Sequence, residues 1–454
     1  MNKIVVVGAG IAGLSFAYEA LKNGYNVTVV EKADEVGGLC RSITVNDCQL
    51  DIGVHILHGR DPQVLSRVKE IVEPDEWVEV ERNGKLFLKG KYINWPLNAA
   101  SIFQIPFSLG LNIFFDQLKK RRIEKVEKSN FQNELINIYG PNLYYSFFHP
   151  LTKRFLNTDP QNIHADWAFS SIRSATKLED ASFKKSHKYL PEDTTQNSKS
   201  EFNVFKFLYN SLFNKQVEAF FYFKDGYGVL PNSYRDKIIE LGGTILTQSA
   251  VDSFVLENNK IRQCIINGEN HDCDKVMWTG DIRSLCTLLD IDDPKLTYIH
   301  SKFLYVFLKD CLKKHQVCYY ADDDISFVRG TILSNHSKSI IQNPDVADII
   351  CLEYTFSSKD ELLNNPEQFQ AEAAKNLIKV DIIKTESSIE SIYELNVPFT
   401  YPVLTIDYKD KLRQVRSDLS NIENLLTLGR QGSFGYENAD IIIKEAINHP
   451  LFVS

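Results

Sequence analysis

The chain has no CxxC pair, no apolar run that could cross a bilayer and no surplus of positive charge. Its eight cysteines, at 40, 48, 264, 273, 286, 311, 318 and 351, are scattered. With no secretory leader they read as thiols of a reduced, cytoplasmic chain rather than a disulfide framework. Only Cys311, His315 and Cys318 fall close together, without a second cluster to complete a tetrahedral site, so no metal is expected. The most membrane-like stretch, 102–115, is broken by Gln104, Pro106 and Gly110 and is too short to span. It reads as buried helix and loop, with a peripheral membrane contact through Phe103, Phe107, Phe114 and Phe115 as the other option. A net charge of −8 argues against a polyanion-binding face and hence against nucleic acid, leaving room for a local basic pocket.

What is present is concentrated at the start. In 454 residues, enough for two or three domains, the run Lys3-Ile4-Val5-Val6-Val7 enters Gly8-Ala9-Gly10-Ile11-Ala12-Gly13. A helix over 14–23 follows, and a second apolar strand, 27–30, ends at Glu31. Gly8 permits a tight turn, Gly10 lets the backbone approach a pyrophosphate, and Gly13 lets the helix pack closely on the sheet. The helix start offers free N–H groups and a positive dipole end to the phosphates. Glu31 stands where a carboxylate accepts both ribose hydroxyls. Strand, glycines, helix and acid in this order specify a dinucleotide site.

The next residues choose the dinucleotide. Glu31 is followed by Val36-Gly37-Gly38-Leu39-Cys40-Arg41 instead of a second crossover helix. Main-chain N–H groups of the Gly37-Gly38 turn and the Arg41 guanidinium can close over a cofactor diphosphate, which favours FAD. The alternative for these residues is a plain Gly-Gly hairpin with a solvated Arg41.

The chain then leaves the cofactor fold and returns. A helix over 62–71 precedes a hairpin at Asn83-Gly84, and a helical region runs to about 180. The polar stretch 177–200 reads as a surface loop or insertion. Residues 224–231 open a helix to Leu241, followed by strands over 244–247 and 249–256, a hairpin at Asn258-Asn259, and a buried strand over 275–278. Alternating apolar residues at 301–308, 325–333 and 348–355 suggest a β-rich layer, with a helix near 366–380. Finally Leu425-Leu426-Thr427-Leu428-Gly429-Arg430-Gln431-Gly432 leads to Asn438, Asp440 and a helix through Ile447. Gly429, Arg430, Asn438 and Asp440 are therefore candidate flavin contacts, against the option of an ordinary strand-turn-helix crossover. The fold class is α/β: a Rossmann-like FAD-binding domain of the GxGxxG type, formed by 1–75, 224–290 and 401–454. It is interrupted by a mainly helical region, 76–223, and a β-rich substrate-binding region, 291–400.

Together these motifs resemble the amine-oxidase superfamily of flavoproteins, and within it the UDP-galactopyranose mutases. The residues that carry the closer resemblance are Gly53-Val54-His55-Ile56-Leu57-His58, Gly140-Pro141-Asn142-Leu143-Tyr144, Phe147-Phe148 with Pro150-Leu151-Thr152, Ala165-Asp166-Trp167, Arg329, Glu353-Tyr354, and Gly429-Arg430 with Gly432, Phe434 and Tyr436. The resemblance implies His55 beside the isoalloxazine, with His58 the more expendable histidine. It implies Arg173 and Arg329 as a guanidinium pair on a nucleotide diphosphate, and Tyr436 lining the pocket; a surface role for Arg173 and a core role for Tyr436 stay open. The implied activity is pyranose–furanose isomerisation of a nucleotide sugar through reduced flavin, in polysaccharide biosynthesis, with an external reductant. An oxidase or desaturase of the protoporphyrinogen oxidase type and a flavoprotein scaffold without turnover are the alternatives. Where the mutases carry Thr-Glu-Lys-x-Trp-Gly, this chain has Thr152-Lys153-Arg154-Phe155-Leu156-Asn157, so a site aromatic is missing or displaced. The sugar and the oligomeric state are not fixed by these motifs.

Overall fold

The computed structural model describes residues 2–95, 101–119, 130–168, 219–358, 361 and 366–452. Short valine-rich strands are buried on both faces when helices cover each side of a parallel sheet. Five strands form the sheet here, in the order Thr244–Leu246, Asn26–Val30, Lys3–Val7, Lys275–Trp278 and Leu425–Thr427, each pair parallel and only the three central strands largely buried. They come from three separate stretches of chain, so the cofactor sheet is left and re-entered twice. Helix Ile11–Lys22 packs beside helices Val229–Glu240 and Ala439–Ile447. It starts at Ile11, three residues before the expected position, which places Gly13 inside its first turn.

A second, seven-stranded sheet runs Ile389–Pro402, Tyr298–Leu308, Asp348–Phe356, Arg329–Ile332, Val317–Tyr320, Gly84–Leu88 and Lys91–Trp95. Its pairs are antiparallel except where Val317–Tyr320 meets Gly84–Leu88. Tyr298–Leu308 is buried along its whole length because sheet and helix cover it on both faces. Two expectations are corrected here. The hairpin does not turn at Asn83-Gly84: Trp77–Val80 pairs instead with Phe220–Phe223, and Gly84–Leu88 turns back at Lys89 (φ 50°) and Gly90 (φ 71°). Gly84 is a packing glycine, since a Cβ there would lie 2.7 Å from the Trp95 carbonyl oxygen. That hairpin also falls within the stretch read as mainly helical, yet it forms an edge of the β-rich sheet, because its alternating apolar residues find a partner only there. By contrast Asn258 and Asn259 take φ of 51° and 59° and close the expected hairpin.

The stretch 102–115 breaks at Pro106 into helices Ser101–Gln104 and Phe107–Lys119. It is not wholly buried: Phe107 is 81% exposed, and Leu111 and Phe115 share that edge at four-residue spacing. Among the described residues no helix is long and apolar enough to cross a membrane.

Four histidines, His55, His315, His336 and His449, are pushed down to about 4 by burial. Each stays neutral in the folded chain while the unfolded chain takes up a proton near pH 6.5. Their stabilising contribution is therefore complete above pH 6.5 and is lost as pH falls from there toward 4. The melting temperature should fall steadily across that window, and His336→Phe should flatten the slope; a flat melting profile from pH 6.5 to 4.5 would contradict the burial argument.

Candidate functional site

The carboxyl ends of Lys3–Val7, Lys275–Trp278 and Leu425–Thr427 meet at one edge of the parallel sheet, where open α/β sheets bind ligands. Gly8 turns there with φ 101°, its N–H donating to Val30 O at 2.8 Å. Thr279 Oγ1 donates to Val7 O at 2.9 Å and Gly8 O at 3.2 Å, tying two strand ends together. A Cβ on Gly13 would lie 1.9 Å from Gly8 O, so the protein's own packing demands that glycine. Gly10 differs: a Cβ there would meet nothing within 4 Å. It forms an open cradle of the kind a pyrophosphate fills. Glu31 accepts the Ala9 N–H at 2.7 Å and the Ala33 N–H at 2.9 Å, which holds the carboxylate at the rim of the cradle with lone pairs left for ribose hydroxyls.

The Gly37-Gly38 turn is no hairpin. Both residues have positive φ, 109° and 55°. Gly37 forms an isolated parallel bridge with Gly10, and its N–H donates to Ala9 O at 2.7 Å. A Cβ on Gly38 would sit 3.3 Å from Gly10 Cα. The turn thus lies against the glycine loop and passes through a short 3₁₀ turn, Gly38–Cys40, to the half-buried Arg41. Two adjoining strips of backbone fit an extended dinucleotide cofactor.

The C-terminal return closes the other side. Gly429 has φ 81°, and a Cβ there would be 2.5 Å from Ala12 Cβ; one on Gly432 would be 2.6 Å from Trp278 O. Residues 429–432 are thereby pressed on the first helix and the fourth strand of the sheet. Asn438 then enters helix Ala439–Ile447 in extended geometry, with Asp440 in its first turn. Gln431 Oε1, Glu437 Oε2 and Asp440 Oδ1 are buried acceptors without a hydrogen-bond partner. Burial pushes the Glu437 carboxyl up; at Asp440 burial also raises it, with His58 and Arg60 opposing. Three unpaired acceptors in one segment leave places for ligand donors, such as ribityl hydroxyls or a flavin imide N–H.

His55 stacks on Tyr227 at 5.0 Å, and its Nε2 lies 2.9 Å from Ile52 O. Burial first, then the positive Arg430 and Arg329, keep its imidazole neutral. Beyond it lies a cavity lined by Trp95, Phe147, Phe148, Leu151, Thr152, Phe155, Trp167, Tyr319, Arg329 and Tyr436. Strand pairing puts Arg329 opposite Glu353, and Nη2 reaches Glu353 Oε2 at 2.5 Å and Tyr401 Oη at 2.9 Å. Tyr401 in turn donates to Glu353 Oε1 at 2.9 Å. Desolvation, the largest single effect, pulls Arg329 down, but Glu353 together with Tyr401, Tyr319 and Tyr436 outweighs it and holds the guanidinium charged. Its Nε has no partner. Arg430 stands over the rings of Tyr436 and Tyr401, at 4.9 and 5.6 Å, and donates to Glu437 O at 3.1 Å.

The fold therefore brings together Gly8, Gly10, Gly13, Glu31, Gly38 and Arg41 with Gly429, Arg430, Asn438 and Asp440 at one edge of the sheet, and Arg329 with Tyr436 in one cavity. Arg173 and the 177–200 stretch lie outside the described residues. Sequence reasoning missed Tyr401, which bonds Arg329, and Trp95 in the cavity wall. Neither carries a local motif, although Tyr401 ends an apolar-alternating run. Within the 152–157 segment Phe155 packs on Tyr401 at 5.0 Å, and from outside it Trp167 packs on Tyr436 at 4.6 Å.

Residues 6–71 match the NAD(P)-binding Rossmann-like domain family. A probable UDP-galactopyranose mutase of Klebsiella pneumoniae is 26% identical over 174 residues, 36% of this chain and 43% of that protein. Protoporphyrinogen oxidase 2 of Arabidopsis thaliana is 38% identical over 70 residues, 15% of this chain and 14% of that one. The matched stretches thus span under half the length of these relatives. A crystal structure of reduced UDP-galactopyranose mutase superposes with a TM-score of 0.81 at 18% identity, covering 100% of this chain and 96% of the other.

Proposed function

We propose that this chain is a member of the amine-oxidase-like flavoprotein superfamily, to which its similarities point, and an FAD-dependent enzyme that isomerises a nucleotide-linked sugar between ring sizes. The observation that carries this reading is the pair of guanidiniums that meet at Tyr401: Arg329 donates to its hydroxyl, and Arg430 stands over its ring and that of Tyr436. Glu353 balances only one of the two charges, so the Arg329–Glu353–Arg430 group keeps a net positive charge that suits a diphosphate held at Arg329. Gly8, Gly10, Gly13 and Glu31 would hold the ADP half of the cofactor; Gly38 and Arg41 would close over its phosphates. Gly429, Arg430, Asn438 and Asp440 would receive the flavin end. When bound, FAD supplies the redox and nucleophilic chemistry that no side chain of the site offers. The residues contribute the rest: His55 presents a neutral imidazole at the cofactor face, Arg329 and Tyr401 orient the leaving diphosphate, and the aromatic walls exclude water.

The seven aromatic rings in the cavity wall favour a second reading, oxidation of an apolar substrate. One experiment separates the two. Flavin-loaded protein, reduced anaerobically with dithionite, is mixed with a panel of UDP-sugars and the products are resolved by chromatography and mass. Conversion at constant mass, with reduced flavin only, is the expected result. In a parallel sample left oxidised and given apolar substrates as well, bleaching of the flavin by a compound that loses two hydrogens would replace the isomerase reading with the oxidase one.

A further inference from the structure

We propose that Trp95 selects what the cavity accepts, by donating its indole N–H to an oxygen of the bound substrate; the proposal rests on the nucleotide-sugar reading above. Trp95 ends the edge strand Lys91–Trp95 and is 6% exposed. Its backbone is fixed by pairing with Gly84, whose missing side chain leaves room for the Trp95 carbonyl. Its ring is held edge-on by Phe147 at 5.0 Å and Tyr319 at 6.3 Å, so the indole cannot swing to solvent without dismantling that packing. Nε1 has no hydrogen-bond partner. An indole nitrogen only donates, and a buried donor left unpaired is destabilising. A residue serving packing alone would do better as phenylalanine.

The position of this group makes it informative. Among the described residues, the buried unpartnered polar atoms carried by residues that line the cavity are Trp95 Nε1 and Arg329 Nε. Both are donors without acceptor capacity. A ligand that satisfies both must bring oxygens to two places: phosphate oxygens at Arg329, and a hydroxyl or carbonyl oxygen at Trp95. A site built around such donors rejects analogues that lack the acceptor, because the donor is then sealed in unpaired.

Trp95→Phe keeps an aromatic ring and removes only the N–H. Titration calorimetry of flavin-loaded wild-type and variant protein with UDP and with UDP-galactose reads the effect. The expected result is a loss of affinity of about tenfold, ~1.4 kcal/mol, for at least one of these ligands, with flavin content unchanged and ligand-free melting unchanged or raised. Loss with both ligands places the acceptor on the nucleotide; loss with UDP-galactose alone places it on the sugar. Affinities within twofold of wild type for both ligands would overturn the role of Trp95 and leave the nucleotide-sugar reading intact. Lower ligand-free melting with unchanged affinity would make Trp95 a packing residue and overturn it too. If wild-type protein binds neither ligand while retaining flavin, the parent reading fails and takes this one with it.

Discussion

Gly10→Val is expected to give a folded protein that has lost its yellow colour. Gly10 has φ −72° and ψ 176°, extended backbone that valine adopts readily, and a Cβ there would touch no atom within 4 Å. The folded chain therefore tolerates the substitution. The space it fills is the cradle between Gly8 and the Gly37-Gly38 turn. FAD affinity should fall by roughly a hundredfold, ~2.7 kcal/mol, while melting matches that of flavin-stripped wild-type protein, the proper reference because bound cofactor stabilises by mass action. Gly13→Ala is the contrasting case, since its Cβ would stand 1.9 Å from a backbone carbonyl oxygen; it should lose stability and flavin together. Full flavin occupancy in Gly10→Val, measured by absorbance after gel filtration, would move the pyrophosphate elsewhere.

Arg329→Ala should be the most destabilising change in the substrate cavity. Glu353 is 2% exposed, and the arginine is its cationic partner. Removing one member of a buried pair strands the other charge, at a cost of about 3–5 kcal/mol. Such a variant alone cannot separate fold from binding, so the informative comparison is Arg329→Met combined with Glu353→Leu. Apolar residues of similar volume remove both charges together and should recover most of the melting temperature. UDP affinity, by contrast, should stay at least tenfold weaker, ~1.4 kcal/mol. A stable double variant that binds UDP as wild type does would remove Arg329 from the diphosphate site.

The Rossmann-like glycine loop was legible in the chain because its determinants are local. Gly8, Gly13, Gly37 and Gly38 answer to turns or contacts within the first forty-one residues, and Glu31 ends the strand that follows. The cavity was only half legible. Arg329, Glu353 and Tyr436 were named by motif, but Tyr401 and Trp95 join them through pairing of strands far apart in sequence, including a hairpin that the Asn83-Gly84 signal misplaced.

The sequence by itself determined the parallel sheet, its glycine loop and the return of the C-terminal segment, because backbone sterics and hydrophobic periodicity act over a few residues. Only the tertiary structure decided which side chains share the cavity. That depends on register across the seven-stranded sheet, where the burial of whole strands, and no local preference, sets which residues stand opposite one another.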